Sequence, residues 1–419
     1  MPTALAPRPT EPVAEEIATA TDTASPVGRR ELLDRKRQVV GYELFHRSAP
    51  ANTPDSTLFT ALADGGKAAL VGRKTVFVHC SDALLHDDTL ARVPTDGVVL
   101  VFTPQPGVPQ AEIDARTLQL AALRQRGFSL AFTHAVLGTP FAAWLPLAGY
   151  ITLDLATLQP AILAPLVQKA CKFPQIKLLA RNVASVEQYS RVAELGVHLF
   201  EGSWLHQPVQ VSARTIRPSQ ATILQLINLL RSDADLAAIE ELLKRDPTLS
   251  FNLLRFINSS GFGLSCEITS FRHAAMIIGQ KNLFRWAALL LTASKDSAAP
   301  PAIGSTAIVR GRLTELLAAE LLAPEDCDNA FIVGVFSLLD VMLGVPMAQS
   351  LHQLPLPEPV TDALLYRSGP FAPFLDLTIA CERGEDEGFA QTARALHLSN
   401  HQINWAHLQA LAWADTLLA

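Results

Sequence analysis

The hydrophobic pattern of this chain changes near residue 208, and that change restricts the possible folds more than any other feature. Before residue 208, short runs of Val, Ile, Leu and Phe recur at intervals of roughly 20–35 residues, which leaves room for one crossover helix between them. After it, apolar residues recur with the spacing of amphipathic helices. The pattern therefore predicts an α/β half followed by an all-α half.

The apolar runs of the first half predict a closed barrel. Nearly continuous apolar runs are typical of strands that are buried on both faces of a parallel sheet. Seven such strands favour a TIM-like barrel, and the Gly-rich first turn expected of an open nucleotide-binding sheet is not seen. The predicted strands are Val39–Phe45, Val76–Cys80, Val98–Phe102, Ser129–Thr133, Tyr150–Asp154, Ile176–Ala180 and His198–Glu201.

The second half predicts a helical bundle. Ile223, Leu226, Ile227 and Leu230 follow the i, i+3, i+4, i+7 spacing of one helix face. The Pro- and Ala-rich segment 294–306 predicts an exposed loop within this bundle. Further helices are predicted at Ala274–Ala293, Val309–Leu322, Ala330–Leu343, Pro359–Tyr366, Phe374–Arg383 and Asn400–Leu418.

Composition excludes several classes of protein. A net charge of −6 over 419 residues gives no general attraction to nucleic acid or to an anionic membrane. No apolar run approaches the roughly 18 residues that span a bilayer. The five cysteines form no C-x-x-C pair, so neither a zinc knuckle nor a disulfide framework is indicated. Residues 1–28, rich in Pro, Ala, Thr and Glu, predict a disordered tail without a signal peptide, and we expect a cytoplasmic protein.

Several segments resemble two bacterial signalling modules. The segment 29–47, RRELLDRKRQVVGYELFHR, resembles the opening of EAL domains, the barrel phosphodiesterases of cyclic di-GMP. The segments KRDPTLSFNLLRFINSS and ITSFRHAAMIIG are similar to HDOD modules, relatives of HD-domain hydrolases that lack the metal-binding residues. The resemblance implies a tail over 1–28, a degenerate EAL-like barrel over 29–208 and a helical HDOD domain over 209–419.

The EAL resemblance also implies a set of site positions. In that family, carboxylates at the strand ends hold metal ions that activate a water for attack on phosphorus. Glu43 and Asp154 are retained carboxylates, and Arg47 follows the first of them. Two separate carboxylates do not supply the several oxygen ligands that Mg²⁺ requires. We therefore expect a vestigial site with no metal, no cofactor and no catalysis. The other family positions carry His79, Thr133, His134, Arg181 and Glu201.

The HDOD-like residues predict structural roles. Asp246 precedes Pro247, and Asn258 and Ser259 follow a helical face, which is capping and turn chemistry. Gly279 closes the second motif segment. The one HD dipeptide, at 86–87, lies between predicted strands and has no companion ligands at metal-binding spacing, so we expect a solvated loop there.

The function expected from these residues is a non-catalytic signalling adaptor. It would act by protein–protein contact in cyclic di-GMP regulation of the motility or biofilm type, as the resemblance implies. The expected partners are other signalling proteins, active cyclic di-GMP enzymes among them, with a homodimer as a further expectation and no nucleic acid or membrane. Two alternatives stay open. One is a receptor that binds cyclic di-GMP through Arg47 and Arg181 without hydrolysis, and the other is a residual phosphodiesterase that depends on Mg²⁺ or Mn²⁺.

Overall fold

The chain forms two compact units in a computed structural model. One unit contains the barrel up to Leu205, and the other contains the helices from His206 to Ala380 and from Gly388 onward. The residues that the structure describes are 27–46, 56–64, 67, 71–72, 74–86, 88–207, 218–232, 236–245, 279, 283–292, 300–352, 354, 356–383 and 386–418.

Eight strands close into a barrel in chain order, from β1 to β8 and back to β1. The pairs from β2 to β8 are parallel, as the near-continuous apolar runs predict. The barrel is therefore confirmed. Its strands are β1 Val27–Asp34, β2 Val39–His46, β3 Thr75–His79, β4 Val98–Phe102, β5 Ser129–Thr133, β6 Ala148–Asp154, β7 Lys177–Arg181 and β8 Leu199–Phe200.

The first strand corrects two expectations. We expected seven strands and a tail over 1–28, but β1 begins at Val27 and pairs antiparallel with both β2 and β8. The sequence hides this strand because it contains Arg29, Arg30 and Glu31 instead of an apolar run. The segment nevertheless forms a strand, because a short turn after Asp34 lets it pair antiparallel with β2. Such a hairpin needs no crossover helix. Residues 1–26 lie outside the described residues.

Inward-facing side chains change in character along the barrel axis. Residues two apart on a strand point to the same face, so Lys177, Leu179 and Arg181 of β7 form one inward column. The middle position is apolar and belongs to the buried core of the barrel. The first position lies at the amino ends of the parallel strands and the last at their carboxyl ends. The core cluster consists of Leu32, Phe77, Val99, Val101, Ala131 and Leu179, with Tyr150 and Leu199 packed against it.

Helices connect the parallel strands, as the spacing of the apolar runs predicts. The helix Gln110–Arg126 ends at Gly127, whose φ of 107° is the left-handed conformation common at helix ends. The helix Val186–Glu194 begins at Ser185, whose Oγ accepts the backbone N–H of Gln188. The other α-helices of the barrel are Ser56–Asp64, Thr89–Arg92 and Pro160–Ala170.

The second unit is helical in its described part, as predicted. One expectation is wrong: residues 301–306, assigned to a loop, are the first turns of the helix Pro301–Ala318, because Pro301 fits the first helical position. None of the described helices has the length and apolar character needed to cross a membrane. The remaining helices are Pro218–Arg231, Leu236–Arg245, 283–292, Pro324–Phe336, Leu339–Leu343, Met347–Leu351, Glu358–Leu365, Ala372–Arg383, Asp386–Ala395 and Asn400–Leu418.

Two glycines allow two helices of this unit to cross closely. Gly311 of the helix Pro301–Ala318 faces Gly334 of the helix Pro324–Phe336. A Cβ atom added at Gly334 would lie 2.5 Å from the carbonyl oxygen of Arg310 and 2.7 Å from the Cα of Gly311. These are backbone atoms, which cannot turn aside as a flexible side chain would. The contact therefore requires glycine for space, not for backbone conformation.

We predict that Gly334→Ala lowers the free energy of unfolding by about 1–3 kcal/mol, because one extra methyl group forces the two helices apart. Thermal and urea denaturation of the full chain, followed by circular dichroism, measures the change. Gly149→Ala is the control, since its Cβ would lie 3.6 Å from the carbonyl oxygen of Leu130, an ordinary contact. Equal stability of the two variants would contradict the crossing.

Candidate functional site

A buried glutamate is the centre of the site at the carboxyl end of the barrel. The side chain of Glu43 on β2 is 4% exposed. Nη2 of Arg181, the last residue of β7, lies 2.8 Å from Oε1 and 2.9 Å from Oε2 of Glu43. Nε2 of His79 lies 3.2 Å from Oε1, and Nη1 of Arg30 lies 3.8 Å from Oε2. One carboxylate is therefore surrounded by two guanidinium groups and an imidazole.

The surrounding groups keep Glu43 ionised. Burial alone raises the pKa of Glu43, but the hydrogen bond with His79 and the nearby positive charges outweigh burial, so this pKa lies below its ordinary value. An ionised carboxylate only accepts hydrogen bonds, so Nε2 of His79 is the donor in this pair. The cluster is a buried ion pair whose charges compensate each other inside the barrel.

A second group of residues is organised by Asn182, directly after β7. Its Nδ2 donates to Oδ1 of Asp154 at 2.7 Å, and its backbone N–H donates to Oε2 of Glu201 at 3.0 Å. Asn182 has a φ of 56°, a left-handed conformation that asparagine tolerates better than most residues. Sequence reasoning missed Asn182. The sequence does contain one signal for Asn182, because this polar residue directly follows Arg181 at the end of a predicted strand.

Glu201 is the second buried carboxylate of the site, and its pKa moves in the opposite direction to that of Glu43. Burial raises the pKa of Glu201, and the negative charge of Glu43 raises it further, against the backbone hydrogen bond from Asn182. The residue after it, Gly202, has a φ of 146° and lies against the backbone of Val183. This close approach leaves no room for a side chain at Gly202.

The structure places the other expected site residues less centrally. Thr133 ends β5 and His134 begins the short 3₁₀ helix His134–Leu137, at the same end of the barrel. The contacts that join Glu43, His79 and Arg181 do not include either of them. Gly279 has a φ of 76°, which glycine adopts without strain. The remaining expected residues, Arg47, Asp246, Pro247, Asn258 and Ser259, lie outside the described residues.

The donor set around Glu43 does not fit a divalent metal centre. Both oxygens of Glu43 are engaged by Arg181 and His79, and a guanidinium has no lone pair for a metal. Asp154 bonds to Asn182 instead of turning toward Glu43. Within the part of the chain that the structure describes, no three His, Cys, Asp or Glu residues are grouped so that they could hold a metal ion.

Comparison with known proteins supports the predicted modules. Residues 216–340 match the family model of the HDOD domain. Cyclic di-GMP phosphodiesterase CdgJ of Vibrio cholerae serotype O1 is 25% identical over 412 residues, which cover 93% of this chain and 92% of that protein. The uncharacterized protein YuxH of Bacillus subtilis strain 168 is also 25% identical, over 94% of this chain and 98% of its own length. The similarity to both proteins therefore extends across the two units.

Solved structures similar to the chain include EAL proteins. A standalone EAL protein of Vibrio cholerae O395 with bound c-di-GMP is 13% identical, with a TM-score of 0.36, over 44% of this chain and 92% of that one. The EAL domain of Mycobacterium smegmatis DcpA is 18% identical, with a TM-score of 0.35, over 42% of this chain and 89% of that one.

The name of the Vibrio relative corrects one expectation. We expected a chain without enzymatic activity, because few carboxylates remain at the EAL positions. CdgJ, which matches this chain over almost its whole length, is named a phosphodiesterase, and this contradicts the expectation. The small number of carboxylates at the positions that the resemblance implies does not by itself exclude enzymatic activity.

Replacing Glu43 by the isosteric glutamine is predicted to destabilise the barrel. Glu43→Gln removes the charge that compensates Arg181, so we expect a loss of about 3 kcal/mol in the free energy of unfolding at pH 7. The folded-state pKa of Glu43 is lowered, so its contribution is present above the unfolded-state pKa and is lost as the pH falls through the folded-state pKa. The difference between the two proteins should therefore shrink in acid. Urea denaturation between pH 3 and pH 8 measures it.

Glu201→Gln is the matched variant, and we expect it to change the free energy of unfolding at pH 7 in the opposite direction. The folded-state pKa of Glu201 is raised, so its stabilising contribution is present at low pH and is lost as the pH rises through that pKa. Glutamine avoids this loss and keeps an oxygen for the N–H of Asn182. We expect Glu201→Gln to be more stable than the wild type at pH 7 and equal to it below about pH 4. Similar losses at pH 7 for both glutamine variants would contradict the assigned electrostatics.

Proposed function

We propose that this chain, which combines an EAL-type barrel with an HDOD domain, acts in cyclic di-GMP signalling and binds that dinucleotide at the carboxyl end of the barrel. The group that it would hold is the phosphodiester, through the guanidinium groups of Arg30 and Arg181. We propose recognition of the ligand, and a separate assay of the same samples measures hydrolysis.

The comparison with CdgJ supports the choice of ligand. That protein is named for cyclic di-GMP and is similar over 93% of this chain. The location is supported by the barrel itself, because the ligand sites of (β/α) barrels form at the carboxyl ends of the strands. Glu43, His79 and Arg181 all lie at this end.

The observation that carries the proposal is the environment of Arg181. Its Nε atom is buried and has no hydrogen-bond partner in the described part of the chain, while its Nη2 is held by Glu43. Buried donors without a partner are rare in folded proteins, and a bound anion would supply the missing acceptor. Arginine also suits phosphate, because its donors form a rigid fork.

Arg30 adds a second guanidinium that is fixed in place. Its Cζ lies 4.2 Å from the centre of the Phe45 ring, and its side chain is 28% exposed. Stacking on an aromatic ring holds the planar group while its edge stays accessible to a ligand. Two arginines, one of them fixed by Glu43 and the other by Phe45, thus give the mouth of the barrel a preference for phosphate oxygens.

Calorimetric titration of the full chain with cyclic di-GMP tests this proposal. We expect the wild type to bind and Arg30→Gln to bind at least tenfold more weakly, since a hydrogen bond to a charged group contributes about 1.5–3 kcal/mol. Arg191→Gln is the control, because it removes an equal charge from an exposed residue on the outer helix Val186–Glu194. Absence of binding to the wild type, or equal weakening in both variants, would contradict the proposal.

Hydrolysis is followed in the same samples, with Mg²⁺ or Mn²⁺ added. Product that forms with the wild type and not with Glu43→Gln would give this chain the activity for which CdgJ is named. A circular dichroism spectrum of Glu43→Gln under the same conditions distinguishes loss of activity from unfolding of the protein.

The helical unit is the part that we propose for contact with partners. This unit contains the HDOD match over 216–340, and the proposed partners are other signalling proteins or a second copy of the chain. Light scattering of the full chain at micromolar concentration tests the homodimer. A mass of twice the chain mass is expected, and a monomer at all concentrations would contradict pairing.

A further inference from the structure

The opposite end of the barrel contains a cavity that the proposed function does not use. Its volume is about 420 Å³, within the range of small-molecule sites. Thr75 and Lys177, the first residues of β3 and β7, line it, which places it at the amino ends of the parallel strands. All of its lining residues belong to the barrel unit.

The apolar core of the barrel forms the inner wall of this cavity. Phe77, Tyr150 and Leu199 line the cavity and also belong to the core cluster or pack against it. Residues at the carboxyl end, such as Arg181, lie one inward position beyond this layer on the same strands. The cavity is therefore separate from the cluster around Glu43.

The outer wall is predominantly cationic. Arg35, Lys36 and Lys177 line the cavity, and Asp34 is the one carboxylate among its lining residues. Oδ1 of Asp34 already accepts the backbone N–H groups of Lys36 and Gln38 in the turn after β1. The positive charges therefore exceed the negative ones by two, with the three cations set against one anion.

Contacts with a neighbouring helix fix the position of this turn. Nη2 of Arg35 donates to the carbonyl oxygen of Ala193 at 2.9 Å, at the end of the helix Val186–Glu194. The hydroxyl of Tyr189, on the same helix, donates to the carbonyl oxygen of Arg35 at 3.3 Å. These hydrogen bonds hold the turn that carries Arg35 against the helix Val186–Glu194.

Two neutral donors face the same cavity. Nδ1 of His198 accepts the backbone N–H of Leu178 at 3.1 Å, so the neutral ring carries its proton on Nε2. Burial, together with the charges of Arg35 and Lys177, lowers the pKa of His198 and favours this neutral form. Burial raises the pKa of Tyr150, which keeps the proton on its hydroxyl.

The aromatic rings define the shape of the space. Phe77 and Tyr150 meet edge to face, with ring centres 4.9 Å apart. Such a wall favours a flat apolar body, while cations and neutral donors at the rim favour an anionic head. We propose that this cavity is a second binding site, specific for a small organic anion with a flat apolar body and a carboxylate or phosphate head. Lys177, His198 and Tyr150 hold the head.

Titration of the full chain with 1-naphthoate, followed by its fluorescence, tests the site. The wild type is expected to bind it at submillimolar concentration, and Lys177→Gln and Tyr150→Phe each at least fivefold more weakly. Neutral 1-naphthalenemethanol is expected to bind at least tenfold more weakly than 1-naphthoate. A parallel titration with 1-naphthyl phosphate shows which of the two heads the site prefers.

Two variants serve as controls. Lys172→Gln removes a charge from an exposed lysine that does not line the cavity, and Arg30→Gln changes the carboxyl end of the barrel. Both should bind 1-naphthoate like the wild type. Lys177 is exposed, so its replacement leaves the core unchanged, and circular dichroism checks this. No binding to the wild type at 1 mM, equal binding by Lys177→Gln, or equal binding of the neutral alcohol would overturn the proposal.

Discussion

The ion pair between Glu43 and Arg181 is the interaction on which the chemistry of the barrel depends. Both side chains point into the barrel, and Nη2 of Arg181 contacts both carboxylate oxygens. A buried carboxylate without a partner would be protonated or would destabilise the fold. With Arg181, His79 and Arg30 around it, Glu43 stays ionised.

The barrel geometry gives one sheet two ends of different chemistry. Because inward side chains repeat every second residue, β7 presents Lys177 at one end, Leu179 in the middle and Arg181 at the other end. The apolar middle layer keeps the ends separate. At the carboxyl end, arginines are held by a carboxylate and an aromatic ring. At the amino end, cations and neutral donors surround a cavity with aromatic walls.

The elements predicted correctly are those whose own residues show a clear apolar pattern. Parallel strands such as β4 are buried along their whole length, so their apolar runs show in the sequence. The strand β1 was missed because its partners, not its composition, make it a strand. The helix that starts at Pro301 was missed because a Pro- and Ala-rich segment suits a loop as well as a helix start. The resemblance named Glu43, His79 and Arg181 as family positions, and the structure brings these three side chains into contact. The contact between Arg181 and Glu43, and the hydrogen bond from Asn182 to Asp154, depend on the register of strands that are far apart in the sequence. The sequence alone therefore could not predict them.

A double-mutant cycle on Glu43 and Arg181 tests the central claim most directly. The free energy of unfolding is measured for the wild type, Glu43→Gln, Arg181→Met and the double variant at pH 7. The account predicts a coupling energy of at least about 1.5 kcal/mol, because each single variant leaves the other residue without its partner inside the barrel. Additive effects within about 0.5 kcal/mol would show that the two side chains do not depend on each other, and would contradict it.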